Sequence, residues 1–168
     1  MDIKRKTNLN KGEIPDRIIR LLENAEFLCI ATRDAYGNPC VANKFLIQCR
    51  KNTLYISDFA KGKTWRNLKA YPKISVAIMD TENLVDYQIN GRAVLLNPGP
   101  DLKEMTKAFS TKESRFSAKR LIEAVRKEKS QHTYQFPLPK HIVIWKIEVE
   151  EVVELGPRTE LHKERAKG

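Results

Sequence analysis

Apolar positions along the chain fall into short runs whose spacing switches between a helical and a strand period. Ile14, Ile18, Leu21, Leu22 and Ala25 form one apolar stripe, with Pro15 at a first-turn position, and predict a helix over 14–26. Phe27 to Thr32 reads as a short buried strand. After it, Asp34-Ala35-Tyr36-Gly37-Asn38-Pro39 supplies residues that accept tight-turn geometry. Cys40 to Arg50 is the expected hairpin partner, and Thr53 to Asp58 a third strand beyond a turn at Lys51-Asn52. A short helix is expected from Gly62 to Ala70, stopped by Pro72, and then a strand from Ile74 to Met79. From Val85 to Leu95 the alternation is clean. Val85, Tyr87, Ile89, Ala93 and Leu95 are apolar, while Asp86, Gln88, Asn90 and Arg92 are polar, the pattern of a half-exposed antiparallel strand.

Pro98-Gly99-Pro100 ends that alternation. Asp101 to Phe109 and Glu113 to Lys129 read as two amphipathic helices, the second with Phe116, Leu121, Ile122 and Val125 facing inward. Pro137 and Pro139 bracket a connection to a last strand, His141 to Val153, with Val143, Trp145, Ile147 and Val149 on its apolar face. A basic arm over 1–13 and a polar tail over 158–168 are expected to be mobile around one domain ending near 157. About six strands, mostly hairpin-connected, predict a mainly β chain with helices, an α+β fold built on an antiparallel six-stranded barrel. Strands and helices do not alternate regularly, and neither GxGxxG nor GxxxxGK[ST] occurs, which argues against a Rossmann sheet or a P-loop.

Composition narrows the class further. The 168 residues carry 31 Lys+Arg against 21 Asp+Glu, a formal net charge of +10, with 41% hydrophobic and 31% charged residues. That length buries enough surface to fold without a disulfide or zinc, and the balance fits a soluble globule. The longest apolar run, Phe27 to Ala31, is far too short to span a bilayer. No apolar segment follows the basic N-terminal residues, so no secretory signal and a cytoplasmic location are expected. Cys29, Cys40 and Cys49 form no CxxC or Cys/His spacing and sit in apparent strand interiors, so they read as reduced thiols. His132, His141 and His162 are scattered, Asp80, Glu82 and Asp86 read as a solvated turn, and no metal site is expected.

The charge is concentrated. Residues 44–73 hold Lys44, Arg50, Lys51, Lys61, Lys63, Arg66, Lys69 and Lys73 against Asp58 alone. Such a surplus suits nucleic acid, an acidic membrane surface or a phosphorylated ligand, although most of these bases read as solvated surface. Aromatic residues are only 8%, several at core positions, so a base-stacking face for nucleic acid is the weakest of these readings. The stretch Leu54-Tyr55-Ile56-Ser57-Asp58-Phe59-Ala60-Lys61-Gly62-Lys63-Thr64-Trp65-Arg66-Asn67-Leu68 runs a strand edge through a loop into a helix start. Free N–H groups, the positive end of the helix dipole, lysines and a hydroxyl together make an anion cradle, and Gly62 admits close backbone approach. An ordinary helix start with surface lysines explains the same residues without a ligand.

This segment, with Gly-Lys-Thr, Asn-Leu and a proline eight residues after the threonine, resembles the phosphate-binding segment of the pyridoxamine 5′-phosphate oxidase-like family, the FMN-binding split barrels. The resemblance covers roughly 14–97 and includes the Phe27–Phe45 hairpin and the Gln88-Ile89-Asn90-Gly91 strand. It implies a split β-barrel flavoprotein that is a homodimer with FMN at the subunit interface. Lys63 and Thr64 would hold the FMN phosphate, with Gly62 in the loop, Lys61 as a second base, and Lys44 matching a position often basic in the family. Backbone around Asn43, Lys44 and Phe45 and around Ile56, Ser57 and Asp58 would line the isoalloxazine ring, and Gln88 matches a glutamine near the flavin. Trp145 is open to two readings, a core residue or one facing the partner's flavin. The implied activity is oxidoreduction of a small substrate. A non-catalytic module holding flavin, the deazaflavin F420 or haem is the alternative. The oxidase proper ends in an Arg-Leu-x-Pro segment, whereas this chain has Glu150-Glu151-Val152-Val153-Glu154-Leu155-Gly156-Pro157, which leaves the substrate open.

Overall fold

The computed structural model of the chain describes residues 5–7, 14–126 and 142–155. Its elements are β1 (Arg5–Thr7), α1 (Asp16–Asn24), β2 (Phe27–Arg33), β3 (Pro39–Arg50), β4 (Thr53–Asp58), α2 (Lys63–Ala70), β5 (Lys73–Asp80), β6 (Val85–Leu95), α3 (Pro100–Arg126) and β7 (Val143–Leu155). The strands run in the order β1-β7-β4-β3-β2-β5-β6, and β6 also pairs with β7, so six antiparallel strands close into a barrel. Closure removes the open edges that a flat sheet would expose. Arg5–Thr7, expected within a mobile arm, instead pairs with Val152–Glu154 as a short extra strand. The three histidines, the Pro137 and Pro139 connection and the polar tail lie outside the described residues.

Alternation puts Leu28, Ile30, Leu54, Ile56, Ile89, Trp145 and Ile147 in the barrel interior, each nearly inaccessible to solvent. Trp145 is thus a core residue, as its apolar strand face suggested. Ile14, Ile18 and Leu22, on α1 and just before it, and Leu68 of α2 join the same core. α1 lies by the β3–β4 turn, where the Ile14 N–H donates to the Lys51 carbonyl. α2 lies by the end of β2, where Asn67 Nδ2 donates to Thr32 Oγ1 at 3.0 Å. The β2–β3 turn is held by Asp34, whose Oδ1 accepts from the Tyr36 and Asn38 N–H groups, and by Gly37 at φ +88°. These hydrogen bonds, the Asn38 side chain first among them, hold the Asp34 carboxyl below its ordinary pKa.

A second core forms outside the barrel, where α3 packs on the sheet. A β-bulge between Leu46 and Gln48 lets β3 serve both cores: Leu46 and Cys49 point inward, Phe45 and Ile47 outward. Met105 and Phe109 of α3 cover Phe45, Ile47 and Ile144, with the Phe45 and Phe109 rings 5.2 Å apart and edge-on. The expected pair of helices over 101–129 is a single helix as far as Arg126. Thr106, Ser110 and Thr111 each donate a hydroxyl to the carbonyl four residues earlier, so the polar stretch continues the helix instead of breaking it. Leu121, Ile122 and Val125, expected to face inward, are exposed. Residue 121 lies roughly 140° around the helix from Phe116, so that stripe has rotated off the barrel. The thiols divide as well: Cys49 is buried, whereas Cys29 faces outward and is exposed.

Candidate functional site

The start of α2 is left chemically open. Gly62 precedes the helix with no side-chain cap, and nothing lies within 4 Å of where its Cβ would be. Among the described residues the N–H groups of Lys63, Thr64 and Trp65 have no backbone acceptor; the next one, Arg66, reaches the Gly62 carbonyl. Unpaired N–H groups at a helix start attract an anion. Thr64 is buried against the barrel, Lys63 is exposed, and the Lys61 ammonium sits 5.7 Å from the Trp65 ring centroid. At the neighbouring end of β4, Ser57 Oγ and Asp58 Oδ2 are buried with no hydrogen-bond partner. Buried polar atoms are normally satisfied, but these two face opposite ways: Asp58 shares the inward face with Lys44, while Ser57 lies in the row of Phe45 and Ile144 under α3, so the α2 start rests on its own N–H groups, Thr64 and the lysines.

Lys44 is placed differently from Lys61 and Lys63. It lies opposite Leu28 on the inward face of β3, and its Nζ donates to Asp58 Oδ1 at 2.9 Å with both side chains largely buried. Its charge is therefore matched by a carboxylate, whereas Lys61, Lys63 and Arg66 near the α2 start have no ion-pair partner among the described residues.

A second feature lies on the outer face of the sheet. Asn43, Cys29, Ala77 and Gln88 are register neighbours across β3, β2, β5 and β6 and form one row. With Phe27 and Met79 they line a groove of about 840 Å³. Gln88 is fixed there as a double donor, its Nε2 bonding Ser75 Oγ at 3.1 Å and Asn90 Oδ1 at 3.0 Å. Asn90 Nδ2 in turn donates to Glu151 Oε2 at 2.9 Å.

The sequence-derived residues thus fall into three groups. Gly62, Lys63, Thr64 and Lys61 gather at the α2 start, with Ser57, Asp58 and Lys44 at the adjoining strand ends. Asn43 and Gln88 line the outer groove. Phe45 sits under α3 and Ile56 inside the barrel, so only their backbone is available to a ligand. Sequence reasoning missed Phe27, Cys29, Ala77 and Met79 as groove residues. Only the register between strands brings them together, and spacing along one strand does not carry that. Among the described residues no group of His, Cys, Asp and Glu could hold a metal, and no helix is long and apolar enough to cross a membrane.

The family model for pyridoxamine 5′-phosphate oxidase matches residues 14–156. No curated protein matches the chain by sequence. Among solved structures, HupZ of Group A Streptococcus, in the form of a point variant, is similar at 22% identity and TM-score 0.60, over 84% of this chain and 99% of that one. A putative pyridoxamine 5′-phosphate oxidase from Lactobacillus delbrueckii is similar at 18% identity and TM-score 0.61, over 90% and 98%. HutZ, the haem storage protein of Vibrio cholerae, is similar at 16% identity and TM-score 0.55, over 83% and 93%. At these identities the likeness establishes the shared barrel fold.

Proposed function

We propose that this chain, which belongs to the pyridoxamine 5′-phosphate oxidase family, is a cytoplasmic FMN-binding flavoprotein and oxidoreductase acting on a small substrate. It works as a homodimer with the flavin between subunits. The observation that carries the reading is the uncapped start of α2, with three free N–H groups, the Thr64 hydroxyl and the Lys63 ammonium around open space at Gly62. A phosphate monoester suits that set of donors.

Bound flavin supplies hydride or electron transfer that none of these side chains can perform. The protein's part is to bind, to orient and to exclude water. Lys63 and Thr64 hold the phosphate, and Lys61 adds positive charge over the Trp65 ring. The Lys44–Asp58 pair fixes the strand ends beside the cradle without adding net charge to it. Asn43 and Gln88 present amides on the outer groove, where Gln88 is held in one orientation by Ser75 and Asn90.

The test begins with the visible spectrum of the purified protein and mass identification of what it releases on denaturation. FMN absorbance, bleached on reduction, is the expected result. A Lys63→Ala, Thr64→Ala double variant should lose flavin affinity by about tenfold to a hundredfold, from the charged and neutral hydrogen bonds removed. Full affinity in that variant overturns the site. A haem Soret band in place of flavin bands overturns the FMN reading; haem is the alternative raised by the likeness to HutZ.

A further inference from the structure

A smaller groove, about 290 Å³, lies beyond the Ser75–Gln88–Asn90 ladder at the end of β2 and the start of β5. Its floor is small and uncharged, made by Ala31, Ser75 and Gly91, and its rim carries Arg33, Tyr71 and Lys73. The Arg33 guanidinium carbon lies 3.6 Å from the centroid of the Tyr71 ring, close enough to be stacked on it. Stacking fixes the plane of the guanidinium while leaving its N–H fork unused. Among the described residues the Arg33 side chain makes no hydrogen bond or ion pair.

The nearby charges do not compensate it. Asp34, the next residue, turns both carboxylate oxygens onto Tyr36 and Asn38 in its own turn. Glu150 accepts from Lys73 through both oxygens, at 2.6 and 2.7 Å, so that pair neutralises itself across the groove. Glu151 lies beyond Asn90, which donates to it, and Arg33 is the charge at the rim with no ion-pair partner among the described residues. Ser75 Oγ accepts from Gln88 and keeps its own O–H to donate, and the Tyr71 hydroxyl has no partner among the described residues.

We propose that this groove is a binding subsite for the oxyanion of a small molecule, a carboxylate or a phosphate monoester, gripped by the Arg33 fork. Two coplanar acceptor oxygens match a guanidinium edge, and a ring-stacked arginine loses little freedom on binding. The subsite lies at the Tyr71 end of α2, not at its Gly62 start, and does not depend on a flavin being bound. A ligand anchored there lies beside the amide ladder that forms one wall of the larger groove.

Titration calorimetry of the full chain with benzoate and, separately, with inorganic phosphate tests this and tells the two oxyanions apart. Saturable binding of at least one probe is expected, weakened about tenfold or more by Arg33→Gln and less by Arg33→Lys, which keeps charge but loses the fork. Phosphate held at the α2 start is removed by Lys63→Ala, so the binding that survives in that variant is the share assigned to Arg33. Arg33 is exposed, and thermal melts of both variants check that the barrel is intact. The proposal falls if neither probe binds at 10 mM, if Arg33→Gln binds as wild type, or if only Lys63→Ala abolishes binding.

Discussion

Two residues, Gly91 and Lys112, show how far an environment departs from what a position in the sequence announces. Gly91, in the Gln-Ile-Asn-Gly strand, reads as a family signature. Its physical reason is that a Cβ there would run into the Glu148 carbonyl and reach 3.1 Å from the Ile147 methyl, beside the register shift where β6 meets β7. Lys112, expected between two helices among other solvated bases, is half-buried, its ammonium 5.8 Å from the Phe45 and Phe116 ring centroids. Burial, with the Arg115 charge behind it, lowers its pKa from 10.5 to about 8. An amine with a depressed folded pKa binds fewer protons folded than unfolded, so stability rises with pH between about 8 and 10.5. The Cys49 thiol, pushed by burial from 9.0 to about 11, works in the opposite sense above pH 9, because the unfolded thiol ionises first. The lysine's rise therefore stands alone between about pH 8 and 9. Lys112→Met should raise stability at pH 7 by about 1 kcal/mol, allowing for the water that still reaches the ammonium, and should flatten that rise. Urea midpoints for both proteins at pH 7 and pH 9 check it; equal slopes with pH would contradict the assignment.

At the level of elements, the strands were legible because period-2 alternation is directly a statement about two faces. Thr53–Asp58 and Val85–Leu95 have the bounds that the pattern predicts. The long helix was not, because Ser110 and Thr111 look like breakers until their hydroxyls find carbonyls one turn back. Its apolar residues also serve two different surroundings. Met105 and Phe109 are buried against β3, while Leu121, Ile122 and Val125 face away from the barrel. The two halves of α3 should consequently differ in energy. Phe109→Ala removes a ring packed on Phe45 and Phe59 and should cost about 3–5 kcal/mol in chemical denaturation. Val125→Ala, at 72% exposure, should change stability by less than about 0.5 kcal/mol. A large loss from Val125→Ala would mean that something covers this end of the helix. The candidate site divides in the same way: the α2 start is a contiguous segment and could be read from sequence, whereas the outer groove is assembled from four strands and could not.

For the whole molecule the decisive quantity is the +10 charge, which sets how two copies can meet. Like-charged chains repel over about 8 Å at physiological ionic strength, so a stable contact needs a face from which charge has been removed. The outer sheet offers one. Phe27 (48% exposed), Val41 (65%) and Met79 (51%) stand there among Cys29, Asn43 and Ala77, and Asp86, beside Met79, is the one ionised side chain among the residues that line the groove. The groove holding Asn43 and Gln88 opens on the same face, so the proposed dimer would cover it and shut water away from a flavin bound there. A standard interface buries about 800 Å² on each partner, which six such side chains and the backbone between them begin to supply. Sedimentation should therefore find a dimer whose association tightens as salt rises, since screening weakens the repulsion and leaves apolar burial intact. Val41→Lys places a charge on that face in both copies. It should give a monomer that keeps its fold by circular dichroism, and flavin affinity should fall with it. A dimer that survives Val41→Lys, or one that dissociates as salt is raised, would put the contact on a charged surface elsewhere on the barrel.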